Sequence, residues 1–215
     1  MPSQAVSALR LLISERFPER ARRGDGGVAT GSPVDEALGG GLPAGRLTEL
    51  VSAVPGSGGQ TVLASLLAST RAARQRVALV DASDGFAPEC VPDDMLRHLV
   101  WVRCRVPAEA FAAADILVRD GNYCAVVVDL RGCTERALRR TPASVWYRLQ
   151  RAAEGGSVAV LVQTPLAIVP AAPWRLVLES PAALADADLP REILSRRLAV
   201  RTERSPFQLD ERLAG

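Results

Sequence analysis

The sequence predicts an α/β domain: a mostly parallel β-sheet sandwiched by helices, with an amphipathic helix at its N-terminus. Two observations carry this. Continuous Val/Leu/Ala runs of strand length alternate with longer stretches at helical spacing, and such unbroken apolar runs suit parallel strands buried on both faces. Two of the runs end in aspartate, Asp81 and Asp129, and another leads into a Gly-rich turn. A length of 215 residues, 48% of them hydrophobic and 23% charged, suits one globular core rather than a disordered chain. We therefore expect an N-terminal helix and linker over 1–27 and a core domain over 28–215.

Taken in order, Val6, Leu9, Leu12, Ile13 and Phe17 recur at helical spacing up to Pro18, which stops the helix. A Gly-rich polar linker follows, so the apolar stripe must be covered either by this domain or by a neighbour. The strand expectations are 47–51, 76–80, 99–104, 125–130, 158–163, 175–179 and 198–202. Helices are expected over 60–74, 107–120 and 142–154. In the last of these, Thr141 reads as the cap and Pro142 as the first turn. No long helix separates the final two strands, so both are expected as antiparallel additions at the sheet edge.

Charge and cysteine usage exclude several chemistries. There are 26 basic and 24 acidic side chains, too even a balance for a protein held to nucleic acid by bulk charge alone. All 26 cations are arginine, because the chain contains no lysine. No Schiff-base lysine or phosphate-clamping lysine is therefore available. Cys90, Cys104, Cys124 and Cys133 form no Cys-x-x-Cys pair, and the single histidine, His98, has no ligand-spaced partner. No metal site is expected. Scattered thiols, no secretory leader and no membrane-length apolar run lead us to expect a cytoplasmic protein.

The turn after the first strand reads Ser52-Ala53-Val54-Pro55-Gly56-Ser57-Gly58-Gly59-Gln60-Thr61. A working phosphate loop, Gly-x-x-x-x-Gly-Lys-Ser/Thr, needs backbone N–H groups for phosphate, a lysine for charge and a hydroxyl for magnesium. Gly59 and Thr61 fit that pattern, with Gly58 beside them in the degenerate loop. Gln60 stands in the lysine slot and Val54 in that of the first glycine. A cation about 4 Å from a phosphate contributes on the order of 4 kcal/mol at an effective dielectric near 20. Glutamine cannot supply that charge. Asp81 and Asp129, at the carboxyl ends of their strands, are placed to hold a metal-bound water near phosphates.

The run from Thr30 to Leu50 (TGSPVDEALGGGLPAGRLTEL) resembles the lead-in to the phosphate loop of the RecA recombinase family. Within that resemblance, Ser83 of the run Asp81-Ala82-Ser83 stands where the family carries its water-activating glutamate. Asp129 matches the second-strand aspartate, and Gln163 matches a glutamine that senses the terminal phosphate. Arg201 and Glu203 occupy slots for two interface lysines. Leu130 to Thr141 and Pro165 to Trp174 replace the two DNA-binding loops with shorter segments. A RecA-like core with these losses, and the run Arg148 to Gly156, is similar to the ImuA family, accessory proteins of an inducible bacterial mutagenesis cassette. That resemblance implies a non-hydrolysing protein in SOS mutagenesis and translesion synthesis, without cofactors, whose partners are RecA, ImuB and an error-prone polymerase. SulA-like division inhibitors and an active DNA-dependent RecA-class ATPase are the alternative readings.

One further segment carries charge. Arg131, Arg136, Arg139, Arg140, Arg148 and Arg151 face a single acid, Glu135, giving a local net charge of +5, with Trp146 and Tyr147 among them. The functional reading is weak single-stranded DNA contact through phosphates and stacking. The alternative is a solvated helix face with the aromatics packed inward.

Overall fold

The computed structural model of the chain describes residues 27–179, 186 and 188–206. The expected N-terminal helix, with Val6, Leu9, Leu12, Ile13 and Phe17, lies outside the described residues. In chain order the elements are α1 (Val34–Leu38), β1 (Leu47–Val51), α2 (Gly59–Ala72), β2 (Val77–Asp81), α3 (Asp93–Leu96), β3 (Leu99–Arg103), α4 (Pro107–Asp120), β4 (Ala125–Asp129), α5 (Glu135–Arg139), α6 (Ala143–Ala153), β5 (Ala159–Thr164), β6 (Trp174–Leu178), α7 (Arg191–Arg196) and β7 (Val200–Arg204). The strands form one seven-stranded sheet in the order β3-β2-β4-β5-β1-β6-β7. Every neighbouring pair is parallel except β6 and β7. This is the mostly parallel, helix-flanked architecture that the sequence predicts, and it is consistent with a RecA-like core.

β1, β2, β4 and β5 are buried along their whole length, as apolar runs in the centre of a two-sided sheet should be. Alternate side chains go to opposite faces. Val77 and Leu79 join Val62, Leu63, Leu66 and Leu67 of α2 in one core. Ala78 and Val80 join Phe111 and Ala114 of α4 and Trp146 and Leu149 of α6 in the other. Each large side chain fully buried this way contributes on the order of 1.5–3 kcal/mol before ordering costs. α4 starts with Pro107 in its first turn and ends at Gly121, whose φ of 72° is the left-handed geometry that closes a helix.

Two local expectations are corrected. Pro142, not Thr141, takes the N-cap position of α6, and no side chain caps that helix. Instead Thr134 caps α5, its hydroxyl accepting from the Ala137 N–H at 3.3 Å. Second, β6 runs parallel to β1, so only β7 is an antiparallel addition. A parallel crossover ordinarily needs a helix. Here residues 165–173 make it as a loop that buries Val169 and Ala172 on the α4/α6 face. Buried Glu49 pins the loop by accepting from the Ile168 N–H at 2.6 Å and the Val169 N–H at 3.0 Å. Among the described residues, no helix is long and apolar enough to cross a membrane.

Candidate functional site

Strand register sets out the site. Asp81 on β2 pairs with Asp129 on β4, Asp129 with Gln163 on β5, and Gln163 with Leu50 on β1. Three of the residues singled out in the sequence thus stand in one rank at the carboxyl edge of the sheet. Above them the β1–α2 turn opens on a crevice of about 540 Å³ whose lining includes Ser52, Gly58, Gly59, Thr61, Ser83, Asp129 and Arg131. The turn holds its shape by itself. Ser57 donates to the Val54 carbonyl through both its N–H, at 3.2 Å, and its hydroxyl, at 2.8 Å. Gly56 and Gly58 have φ of 80° and 104°, a conformation that disfavours a side chain. Gly58 has a second constraint, since a Cβ there would lie 2.1 Å from Leu198 Cδ2. Val54 is half-exposed and needs no left-handed backbone, which is why valine is tolerated where phosphate loops carry glycine.

The lysine slot is diverted. Gln60 turns to the β2 turn and donates from Nε2 to the Gly85 carbonyl at 2.7 Å. Asp81 is diverted as well: its carboxylate accepts from the N–H groups of Ser83 (3.1 Å), Gly85 (3.1 Å) and Phe86 (3.0 Å). It organises its own turn and does not line the crevice, contrary to the metal-holding role read from the sequence. In that turn Asp84 sits at φ 53°, and bidentate hydrogen bonds from Arg103 hold its carboxyl below the usual carboxylate range. Ser83, in the glutamate slot, packs so closely on Gly132 that a Cβ there would lie 2.4 Å from its own. Gln163 is fully buried and donates from Nε2 to the Gly59 carbonyl at 3.2 Å, while its Oε1 has no partner among the described residues.

Arg131 corrects the sequence reading most. It does not face solvent as a DNA contact. It turns inward, only 18% exposed, onto Asp129, which is 1% exposed. Its Nε lies 2.9 Å from Asp129 Oδ1 and its Nη2 2.5 Å from Oδ2, a bidentate clasp. Its Nη1 lies 2.5 Å from where a Cβ on Gly59 would stand. Among the described residues lining the crevice, the one cation is therefore supplied two residues after the β4 aspartate, from the segment read in the sequence as a basic surface. Beside the site, burial and the neighbouring Asp129 and Asp81 push the Cys133 thiol up to about 11; at the other end of β4, burial does the same to Cys124.

The rest of the basic segment lies apart. Arg136, Arg139, Arg140, Arg148 and Arg151 are exposed. Arg139 pairs with Glu135 at 2.6 Å and Arg148 with Asp115 at 3.8 Å, whereas Arg136, Arg140 and Arg151 form no ion pair among the described residues. Trp146 is buried edge-on against Phe111, with ring centroids 4.7 Å apart, so it cannot stack on a base. Tyr147 is half-exposed and, with Arg119, Ser144, Arg148 and Arg151, lines a separate groove between α4 and α6. Arg119 was not found from the sequence because it lies on α4, before β4 and outside this segment.

A RecA resemblance implies magnesium and a nucleoside triphosphate, and the residues present do not fit them. The lysine slot holds a glutamine bonded elsewhere, both oxygens of Asp129 are held by Arg131, and serine stands in the glutamate slot. Of the two interface slots, Arg201 is paired with Glu179, and Glu203 lies 3.7 Å from Arg175. No family model matches this chain, nor does any curated protein, so the site is read on its own geometry.

Proposed function

We propose that this chain is a non-hydrolysing RecA-like accessory protein of inducible DNA-damage tolerance, acting through protein contacts in the cytoplasm. The observation that carries the reading is the Arg131–Asp129 clasp beside a glutamine in the lysine slot. With the lysine absent and Arg131 already paired with Asp129, a bound phosphate chain lacks an unpaired cation, a charge worth about 4 kcal/mol at close range. That is roughly a thousandfold in rate if it is felt in the transition state. Such a core keeps the shape of an ATPase and works as a docking module. The lead-in motif and the run from Arg148 to Gly156 support the assignment of partners: RecA, an ImuB-type polymerase relative and an error-prone polymerase.

The purified full chain should hydrolyse ATP at background rate, with or without single-stranded DNA. Turnover that DNA stimulates and that Thr61→Ala abolishes would overturn the reading in favour of an active ATPase. Affinity capture from DNA-damaged cells should retain RecA and the polymerases. Retention of the septum-forming GTPase alone would favour a division inhibitor.

A further inference from the structure

The crevice misfits a magnesium nucleotide, yet it keeps hydrogen-bond donors without acceptors. Val62 is the first residue of α2 whose N–H is used in the helix, donating to the Gly58 carbonyl at 2.9 Å, and the N–H groups of Gly59, Gln60 and Thr61 find no acceptor among the described residues. Ser52 is 8% exposed and lines the crevice, and its hydroxyl has no partner among the described residues. The point where a Cβ on Gly59 would stand lies 3.0 Å from Ser52 Oγ and 2.5 Å from Arg131 Nη1. An orphan hydroxyl and a guanidinium nitrogen thus converge beside the first residue of a 14-residue helix. The positive end of that helix favours an anion. Arg131 uses Nε and Nη2 on Asp129 and leaves Nη1 without a hydrogen bond among the described residues.

We propose that Arg131 is the resident cation of this loop, replacing in one side chain both the lysine and the divalent metal. The crevice then takes a phosphoryl dianion without metal, held by the α2 N–H groups, the Ser52 hydroxyl and Arg131 Nη1. The proposal rests on the non-hydrolysing reading. Its distinguishing consequence is an inverted metal dependence. Both Asp129 oxygens are engaged by Arg131, so magnesium cannot enter the site without breaking the clasp, and in solution it competes for the phosphate. Guanidinium suits this role because its planar fork grips a carboxylate on one edge and presents further N–H groups on the other.

Inorganic phosphate and ADP, each in excess EDTA and in excess magnesium, can be titrated into the full chain by calorimetry, with ATP turnover followed under the same conditions. Phosphate and ADP should bind saturably in EDTA, and magnesium should leave the affinity unchanged or weaken it. Phosphate binding alone would identify a free anion as the ligand, and tighter ADP binding a nucleotide. Arg131→Ala should weaken binding at least tenfold. Because that variant strands the Asp129 charge, the double variant Arg131→Ala/Asp129→Asn, which removes both charges, should show the same loss with an unchanged circular dichroism spectrum. Binding that requires magnesium, binding that survives in the double variant, or no binding by the folded wild type would each overturn the proposal. Magnesium-dependent binding without turnover would overturn it and leave the non-hydrolysing reading intact. Turnover together with metal-free binding would do the reverse.

Discussion

At the scale of single residues, Glu49 shows how far a sequence can hide a structural decision. It is fully buried on β1, and its carboxylate accepts from the Ile168 and Val169 N–H groups, from the Thr164 hydroxyl at 3.3 Å and from Arg175 Nε at 2.5 Å. Those contacts convert a loop into a parallel crossover. Nothing near Glu49 in the sequence points to Arg175, 126 positions away. Arg131 was misread for the opposite reason. Its sequence neighbours are basic, and adjacency suggested a shared surface, whereas the end of β4 aims it back at Asp129. Asp129 was legible as an acid closing an apolar strand at the crevice, but its pairing with Arg131, in place of the metal-bound water expected of it, was not. Breaking a buried pair strands the remaining charge, which costs about 3–5 kcal/mol. Glu49→Ala should therefore lower the unfolding free energy by about that amount in urea titrations, leaving Arg175 with the Val169 carbonyl and the more distant Glu203. Glu49→Gln should cost less, since its amide oxygen can still accept from the loop. A loss under about 1 kcal/mol for the alanine variant would show that the ion pair is not what holds the crossover.

At the scale of elements, the central strands were readable because burial on both faces leaves unbroken apolar runs, and α4 because proline and glycine bracket it. The direction of β6 was not, since direction depends on a crossover pinned from a distant strand. The aromatic pair in α6 shows the same limit. Periodicity places Trp146 and Tyr147 on the same helix, but only packing against Phe111 decides that Trp146 is core and Tyr147 is surface. This narrows the nucleic-acid reading of the basic segment to exposed arginines and one exposed ring. If Arg136, Arg139 and Arg140 contact phosphates, binding should be weak, sequence-independent and steeply salt-dependent. Replacing all three with alanine should reduce the slope of log affinity against log salt by roughly two to three. The paired Arg139 should contribute least, because Glu135 already holds it at 2.6 Å. An unchanged slope in the triple variant would mean that this face is only solvated.

At the scale of the whole molecule, the proposed role requires the core to act by joining other proteins rather than by turnover. We propose as the docking element the amphipathic stretch Val6, Leu9, Leu12, Ile13 and Phe17 on its Gly-rich tether, which lies outside the described residues. A large apolar side chain gives on the order of 1.5–3 kcal/mol on burial. Four or five of them, after ordering costs, support a micromolar contact. In the RecA family that the lead-in motif resembles, an N-terminal helix of one protomer packs on the next. A protomer that offers this helix to a RecA filament, while its own loop is clasped by Arg131, would occupy a filament end without the turnover that renews it. Damaged DNA would then pass from recombination to mutagenic synthesis. Deleting residues 1–19 should abolish RecA binding in pull-down and leave the melting temperature of the core within a few degrees of the full chain. If the deletion instead unfolds the core, the stripe belongs to this domain. If RecA binding survives the deletion, docking uses another surface.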